Sequence, residues 1–534
     1  MTQRRLWWLD VAIIVLFCLM LCRVYWVATD TAYAASAGGQ TEFETALPRG
    51  RGNFYDADGK PLTGVTPVWH ALCIPGDASY SEMFPYVPFA AQTTLYERRN
   101  SYRPFLIEVE QDLSAQGVTT YASSRRYLPS PIAPHLIGYL NGEGHGVSGL
   151  EYAYDDRLFE AAPRQTVACI TTAQGGLLTG TAPTMQTKDK GTEQGVRLTL
   201  DADLQRACEA IAQQQLPRGC IVVLRTDGTV AASVSRPEFD PENVAQSIAA
   251  NDTSLINRPL AAFSAGSVFK VVLAVAAYQA GLDWYSTTCE GSIQVADQTF
   301  RCALGRAHGE INLRAALEES CNCYFIELGE MLGAERIRQT AQAFGFGTST
   351  VVAPGLKSQA GSLPTEQALE SAGELAMFSF GQGSLTVTPL QIAAMVNAVA
   401  NGGVYQTPCF VQGICREADA ALVEPWQRPE PRRVCSPAIS NILRDMLVTV
   451  VKDGIGQEAA PHEGSAGGKT GTAQTGQFTA DGKELLNYWF AGFWPAEQPQ
   501  YTVVVLQDAV RSPEYSSAEI FAQIANTLFV YENS

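Results

Sequence analysis

Ser267 and Lys270 stand three residues apart in Ser264-Ala265-Gly266-Ser267-Val268-Phe269-Lys270. On a helix that spacing puts a hydroxyl and an amine one turn apart on one face, where they could serve as a nucleophile and the base that takes its proton. Ser-x-x-Lys alone says little, since roughly one chance match is expected in a chain of this length at average Ser and Lys usage. Two further groups of hydroxyl, amide and amine side chains lie downstream, Ser320-Cys321-Asn322 and Gly468-Lys469-Thr470-Gly471-Thr472. The chain contains no other Ser-x-x-Lys, Ser-x-Asn or Lys-Thr-Gly.

A rigid element has to hold the first pair. Residues 271–280 are apolar on every side, so a helix over them is enclosed by protein, and Gly281 supplies its stop. From Val196 onward strand and helix signals are dense. Residues 221–224, the turn Thr226-Asp227-Gly228 and residues 230–234 predict a hairpin. Thr388-Pro389 before residues 390–400, and Ser436-Pro437 before residues 438–452, each join a capping hydroxyl to a proline at the first helical position. Asn401-Gly402-Gly403 and Gly454 close these two helices. Residues 469–474, 488–493 and 501–507 read as strands, and 517–529 as a last helix. A helix-rich middle flanked by a hairpin and a meander implies an α+β domain, a sheet with helices packed against it.

Residues 35–194 have a different texture, mixed and rich in Pro, Gly and polar residues. Residues 51–60 read as a short strand running into an Asp-Gly turn, and the glycines of 138–151 mark tight backbone geometry. Residues 171–195 read as an exposed linker or hairpin. No catalytic constellation stands in this half, which reads as a structural pedestal.

At 534 residues, with 46% hydrophobic and 17% charged content, two folded parts plus an anchor are expected. The net charge of −17 argues against nucleic acid, whose binding needs a basic surface. Arg4 and Arg5 precede the apolar stretch 6–27, long enough to cross a bilayer, with Asp10 and Arg23 near its two ends. The arginine pair predicts a cytoplasmic N-terminus and an extracytoplasmic bulk. The competing reading is a signal peptide cleaved at Ala32-Tyr33-Ala34 or Ala35-Ser36-Ala37, which leaves the bulk on the same side. Thirteen cysteines at irregular spacing, with no nearby histidine pair, form no zinc-finger pattern, so neither metal nor cofactor is expected. Cys289 and Cys302 could be bridged in an oxidising compartment, although small buried thiols are the commoner fate. His308, in a turn before a helix starting near Asn312, reads as structural.

The three motifs, one copy each and in this order, resemble the active-site signature of penicillin-recognising serine acyltransferases. The wider pattern resembles the class B penicillin-binding proteins, the monofunctional peptidoglycan D,D-transpeptidases. It includes Arg51-Gly52 with Asp56 and Gly59, Gly149-Leu150-Glu151, Leu198-Thr199-Leu200-Asp201 with Leu204-Gln205, and Asn257-Arg258. It continues through His308-Gly309, Gly381-Gln382-Gly383, Thr388-Pro389-Leu390-Gln391 and Trp489-Phe490-Ala491-Gly492-Phe493. Ala57 stands where the family usually has Arg, Ala265 where Pro commonly precedes Gly-Ser, and the pedestal is short for the family.

The resemblance implies three parts. Residues 1–30 would be a cytoplasmic tip and transmembrane anchor, 31–195 an elongated, β-rich, non-catalytic pedestal of the dimerisation type, and 196–534 a transpeptidase domain with an antiparallel sheet flanked by helices. Ser267 would attack a D-Ala-D-Ala stem peptide, with Lys270 as base, kept neutral by burial and by a second cation, Lys469. Ser320 would relay the proton to the departing amine, and Asn322 would hold Lys270 and the substrate amide. The oxyanion would be met by the backbone N–H groups of Ser267 and Thr472, and the substrate carboxylate by Lys469 and Thr470. Gly471 would let an edge strand approach the substrate closely.

The partners implied are peptidoglycan stem peptides, β-lactam antibiotics, the membrane through residues 6–27 in a single pass, and a separate polytopic glycosyltransferase. Residues 31–195 are too few and too poor in helix pattern to be that enzyme. A β-lactamase would need a deacylation motif that the chain lacks. A catalytically idle membrane scaffold would have lost at least one of the five catalytic side chains, and a β-lactam-sensing one would add transmembrane segments and His-Glu-x-x-His.

Overall fold

Helix α1 (Thr2–Thr29) is apolar around its circumference, and its segment Arg4–Val27 has a mean hydropathy of 2.1 with none of it buried. It is long and apolar enough to cross a bilayer. The computed structural model describes residues 2–29, 42–74, 79–99, 101, 103–171, 177–178, 181–250 and 252–533. The two candidate cleavage sites, Ala32-Tyr33-Ala34 and Ala35-Ser36-Ala37, lie outside the described residues, as does part of 171–195.

The chain forms two compact units. The first comprises Met1–Arg51, Gly64–Arg126 and Glu160–Thr192. It holds two three-stranded antiparallel sheets. In one, β2 (Thr66–Cys73) lies between β3 (Phe105–Val109) and β4 (Thr120–Arg125); in the other, β5 (Arg164–Ile170) lies between β1 (Glu42–Ala46) and β6 (Thr184–Asp189). Phe105, Ile107 and Val109 alternate inward along β3 onto Leu95 and Met83, the period of a half-buried strand.

The second unit takes Gly52–Thr63, Tyr127–Phe159 and Glu193–Ser534. Its boundary therefore differs from the single division expected at residue 195. Phe54, Leu62, Leu136, Ile137 and Leu150 are all buried in its large core, and Phe54 pairs with Val196 in a parallel ladder. Asp56 Oδ1 accepts the N–H groups of Asp58 and Lys60, closing the turn that carries Gly59 at φ +89°.

In chain order this unit runs through helix α2 (Ala202–Gln215), the hairpin β7 (Gly219–Arg225) and β8 (Val230–Arg236), and helix α3 (Lys270–Ala280). A small insertion of two ladders follows, β9 (Ser286–Cys289) against β12 (Gly309–Asn312), and β10 (Ser292–Val295) against β11 (Gln298–Arg301). Helices α4 (Leu313–Glu318), α5 (Asn322–Leu332), α6 (Pro389–Ala400) and α7 (Pro437–Lys452) lead to the meander β13 (Gly467–Phe478), β14 (Glu484–Trp494) and β15 (Tyr501–Val510), and then to helix α8 (Ser517–Glu532).

The central sheet is antiparallel in the order β8-β7-β15-β14-β13, with β13 at an edge. Side chains alternate across it. Ile221, Val223, Val503 and Val505 face α2 and α8, whereas Cys220, Val222, Val504 and Leu506 face the layer that contains α3 and α6. The caps are those the sequence spells out. Thr388 and Gln391 form a capping box at α6, Ser436 accepts from Ile439 N at α7, and Gly281 ends α3 at φ +68°.

Candidate active site

Ser267 lies in one tight 3₁₀ turn, Gly266–Phe269, and Lys270 begins α3 directly after it. In that geometry residues three apart eclipse, so the two side chains share a face. The turn is pinned from two sides. Gly266 sits at φ +64° and donates to Gly381 O at 2.8 Å; a Cβ there would lie 2.6 Å from Thr472 O. Trp489 Nε1 donates to Ser264 O at 3.0 Å, tying the approach to the turn to β14. Ser267 itself is half-buried, and among the described residues its hydroxyl has no hydrogen-bond partner.

Lys270 is fully buried. Its Nζ donates to Ser320 O at 2.8 Å, Ser320 Oγ at 3.1 Å and Asn322 Oδ1 at 2.7 Å, and lies 5.5 Å from the centre of the Phe325 ring. Asn322 Nδ2 donates to Arg301 O at 2.9 Å, which turns the amide oxygen toward the lysine. Asn322 is the first residue of α5, while the cap is Cys321, whose sulfur accepts from Tyr324 N. The Asn322 side chain is thus left for Lys270. Ser320 holds φ +56°, a costly conformation for a non-glycine residue, while its carbonyl meets Lys270.

Burial lowers the Lys270 pKa to about 7, and the neighbouring Cys321, Cys302 and Cys323 offset only part of that shift. Lys469 is also buried, and its Nζ donates to Thr470 O at 3.2 Å and Thr470 Oγ1 at 3.3 Å. Its pKa is held well below the usual lysine range, first by burial and then by the charge of Lys270. The sequence reading gave Lys469 a share in keeping Lys270 neutral; in the structure desolvation is the first cause at both amines.

Thr470, Gly471 and Thr472 lie on β13, which pairs with β14 on one side and is the outermost strand of its sheet. A Cβ on Gly471 would lie 3.0 Å from Val268 Cγ1 and 3.2 Å from Val268 N, so the bare glycine lets the strand lie against the Ser267 turn. Gln382 Nε2 donates to Thr472 O at 3.2 Å. The three motifs thus meet at one place, with Ser267 on a turn, Lys270 at the root of a buried helix, Ser320 just before α5 and Asn322 at its start, and Lys469 to Thr472 on an edge strand.

Sequence reasoning gave no role to Arg301, Phe325 or Gln382; the last was visible only as a member of Gly381-Gln382-Gly383. It also missed that Cys289, Cys302, His308 and Cys321 converge, with their donor atoms all within 4.8 Å of one another.

Residues 219–529, more than half of the chain, match the family profile described as the penicillin binding protein transpeptidase domain. The chain belongs to the penicillin-binding protein transpeptidase family. The chain is 32% identical over 414 residues to Stage V sporulation protein D of Bacillus subtilis, covering 74% of this chain and 62% of that one, so it spans less than two thirds of that relative. It is 28% identical over 421 residues to the peptidoglycan D,D-transpeptidase PbpA of Mycolicibacterium smegmatis, covering 74% of this chain and 81% of that one. Among solved structures it resembles penicillin binding protein 3 of Mycobacterium tuberculosis complexed with aztreonam, at 25% identity and a TM-score of 0.66, covering 92% of this chain and 97% of that one. The class B resemblance and the α+β class read from the sequence both hold.

Proposed function

We propose that the chain is a peptidoglycan D,D-transpeptidase that crosslinks stem peptides through an acyl-enzyme on Ser267. The observation that carries this reading is the fully buried Lys270, poised near neutrality between Ser320 and Asn322 and one turn from an unengaged serine.

Ser267 Oγ attacks the carbonyl between the last two residues of a D-Ala-D-Ala terminus, and its proton passes to neutral Lys270. The negative oxygen of the tetrahedral intermediate is met by the backbone N–H groups of Ser267 and Thr472. As the C–N bond breaks, Ser320 relays the proton from Lys270 to the leaving D-Ala amine. An amine of a neighbouring stem peptide then attacks the ester, gives up a proton by the same route, and frees Ser267. Lys469 and Thr470 meet the substrate's terminal carboxylate, whose charge favours the protonated form of a lysine that is otherwise reluctant to ionise. β-Lactams enter the same path and stop at the acyl-enzyme.

Helix α1 anchors the chain by a single pass, N-terminus inside, and residues 31–195 form a non-catalytic pedestal to which segments 52–63 and 127–159 do not belong. The glycan strands come from a separate membrane-embedded polymerase.

Benzylpenicillin tests this directly. Intact-mass analysis should find one stable penicilloyl group, mapped to the peptide containing Ser267. Ser267→Ala should abolish it while moving the melting temperature by no more than about 2 °C, the usual size for a substitution that opens no cavity. Labelling retained in Ser267→Ala would sink the nucleophile assignment, and rapid turnover of the drug would point to a hydrolase.

A further inference from the structure

In the first unit, the helix Phe89–Arg98 turns one side to its own core and another to solvent. Leu95 is its buried contact, packed with Met83 and Phe105. Phe89 and Tyr96, two helical turns apart, form a stripe on a different side and are 89% and 61% exposed. Phe84, just ahead of the helix, is 45% exposed. The inner face is already filled by Leu95, so these three rings have no place in the core of their own unit.

Arginines accompany the rings. The Arg99 guanidinium lies 3.6 Å from the centre of the Tyr96 ring, that of Arg98 5.5 Å from the Phe105 ring, and that of Arg103 5.5 Å from the Phe43 ring. Among the described residues none of the three has a carboxylate within ion-pair distance. Glu97 is the single acid in residues 84–105, so against three arginines the stretch carries a net charge of +2, in a chain whose total is −17. The acids that flank Phe43 point to the other side of β1 and are engaged there. Glu42 accepts from Gln186 Nε2 at 3.1 Å, and Glu44 pairs with Lys188 at 2.7 Å.

The position of this face along the chain says what it meets. Phe43 belongs to β1, and twelve residues separate the end of α1 at Thr29 from the start of β1 at Glu42. A chain of that length spans at most about 45 Å, so the Phe43–Arg103 end of the face is held within that distance of the end of α1. The same end of α1 carries the same pairing, with the Arg23 guanidinium 4.9 Å from the centre of the Trp26 ring. Aromatic rings backed by arginine suit the headgroup layer of a bilayer, where the ring lies at the acyl boundary and the cation meets phosphate.

We infer that Phe84, Phe89 and Tyr96, with Arg98, Arg99 and Arg103, seat this unit on a lipid surface that carries anionic headgroups. The inference rests on the reading of α1 as the membrane anchor. Three rings and three cations bind a free bilayer weakly, but a linker of this length holds the face beside its own membrane at an effective concentration on the order of a millimolar. This second contact fixes the tilt of the unit against the membrane, which one spanning helix does not.

The test uses the full-length chain with p-benzoylphenylalanine in place of Phe89, reconstituted in vesicles of mixed phosphatidylglycerol and phosphatidylcholine. After irradiation, intact mass should show the chain plus one lipid. The yield should be at least about fivefold that obtained with the same probe in place of Phe478, which is 62% exposed in the second unit. Vesicles of phosphatidylcholine alone should lower the yield at least about threefold, and so should Arg98→Glu, Arg99→Glu and Arg103→Glu combined, in the mixed vesicles. Equal yields at the two probe positions would overturn the lipid-facing assignment and leave the rings to a protein partner. A yield indifferent both to headgroup charge and to the three arginines would overturn the anionic surface. The headgroup comparison needs none of the arginine variants to fold. Flotation with the vesicles is read on the same sample, so a chain that floats without a lipid adduct keeps its anchor and loses this face, whereas one that does not float loses the anchor reading itself.

Discussion

Lys270 shows how far a single residue can carry the chemistry. A lysine in water holds its proton far too tightly to serve as a base at neutral pH; fully buried, this one releases it at about 7. In the proposed mechanism the base is the deprotonated form, so acylation by benzylpenicillin should rise about tenfold per pH unit below 7 and level off above it. Time-resolved intact mass between pH 5.5 and 8.5 checks this, and a flat profile would remove Lys270 from the proton path.

The same shift has a signature in stability. Between about 7 and the unfolded value of 10.5 the unfolded chain binds the proton that the folded chain has lost. This residue therefore makes the fold more stable as pH rises through that window, and Lys270→Met should flatten the rise. At this scale the sequence was informative about identity and poor about cause. That Ser267, Lys270, Ser320, Asn322 and Lys469 belong together was legible from type and spacing. That burial, ahead of the second amine, tunes Lys270 depends on the depth of α3 in the core, which no local spacing encodes. The four-donor cluster was hidden because Cys289 stands 13 residues from Cys302 and 19 from His308, without the short paired spacings by which zinc ligands are usually found.

The elements were legible where their ends carry chemistry and illegible where their neighbours are distant. The caps of α6 and α7 stand openly in Thr388-Pro389 and Ser436-Pro437. Nothing local says that β7 lies beside β15, and the contact holding the segment before Ser267 is of that distant kind. Arg258 is fully buried, its Nε donating to Asp508 Oδ2 at 2.9 Å, 250 residues away, and a second nitrogen donating to Thr253 Oγ1 at 2.9 Å. Asp508, on β15, also takes the Arg218 Nε at 3.0 Å. Removing one member of such a pair leaves a buried charge uncompensated, at a cost of about 3–5 kcal/mol. Asp508→Asn strips the buried Arg258 of its counter-charge and should lower the unfolding free energy by that order in a denaturant titration; Arg258→Met leaves Asp508 its contact with Arg218 and should cost less, with the double variant costing less than the two singles added. Strict additivity would mean that the pair does not anchor the turn.

For the whole molecule the sequence placed the change of texture near residue 195 but could not assign every piece. Segments 52–63 and 127–159 look like the rest of the first half in composition, yet Phe54, Leu136 and Leu150 are buried in the second unit's core. Which apolar residues share a core is decided by chain topology, and composition does not reveal it. The opposite holds for α1, whose fate follows from composition alone. Leu6, Trp7, Trp8, Ile14, Leu16 and Phe17 are each more than half exposed, so no protein surface covers them. Burying a large apolar side chain is worth about 1.5–3 kcal/mol, so a helix packed against either unit would contribute many kcal/mol to its stability. This one contributes almost none, and its uncovered apolar surface makes it a candidate membrane span. A chain lacking residues 2–29 should therefore melt within about 2 °C of the full-length protein in the same detergent and acylate with benzylpenicillin at the same rate, while no longer partitioning into a detergent phase. A fall in melting temperature of more than about 5 °C, or a loss of acylation, would mean that α1 supports the folded units.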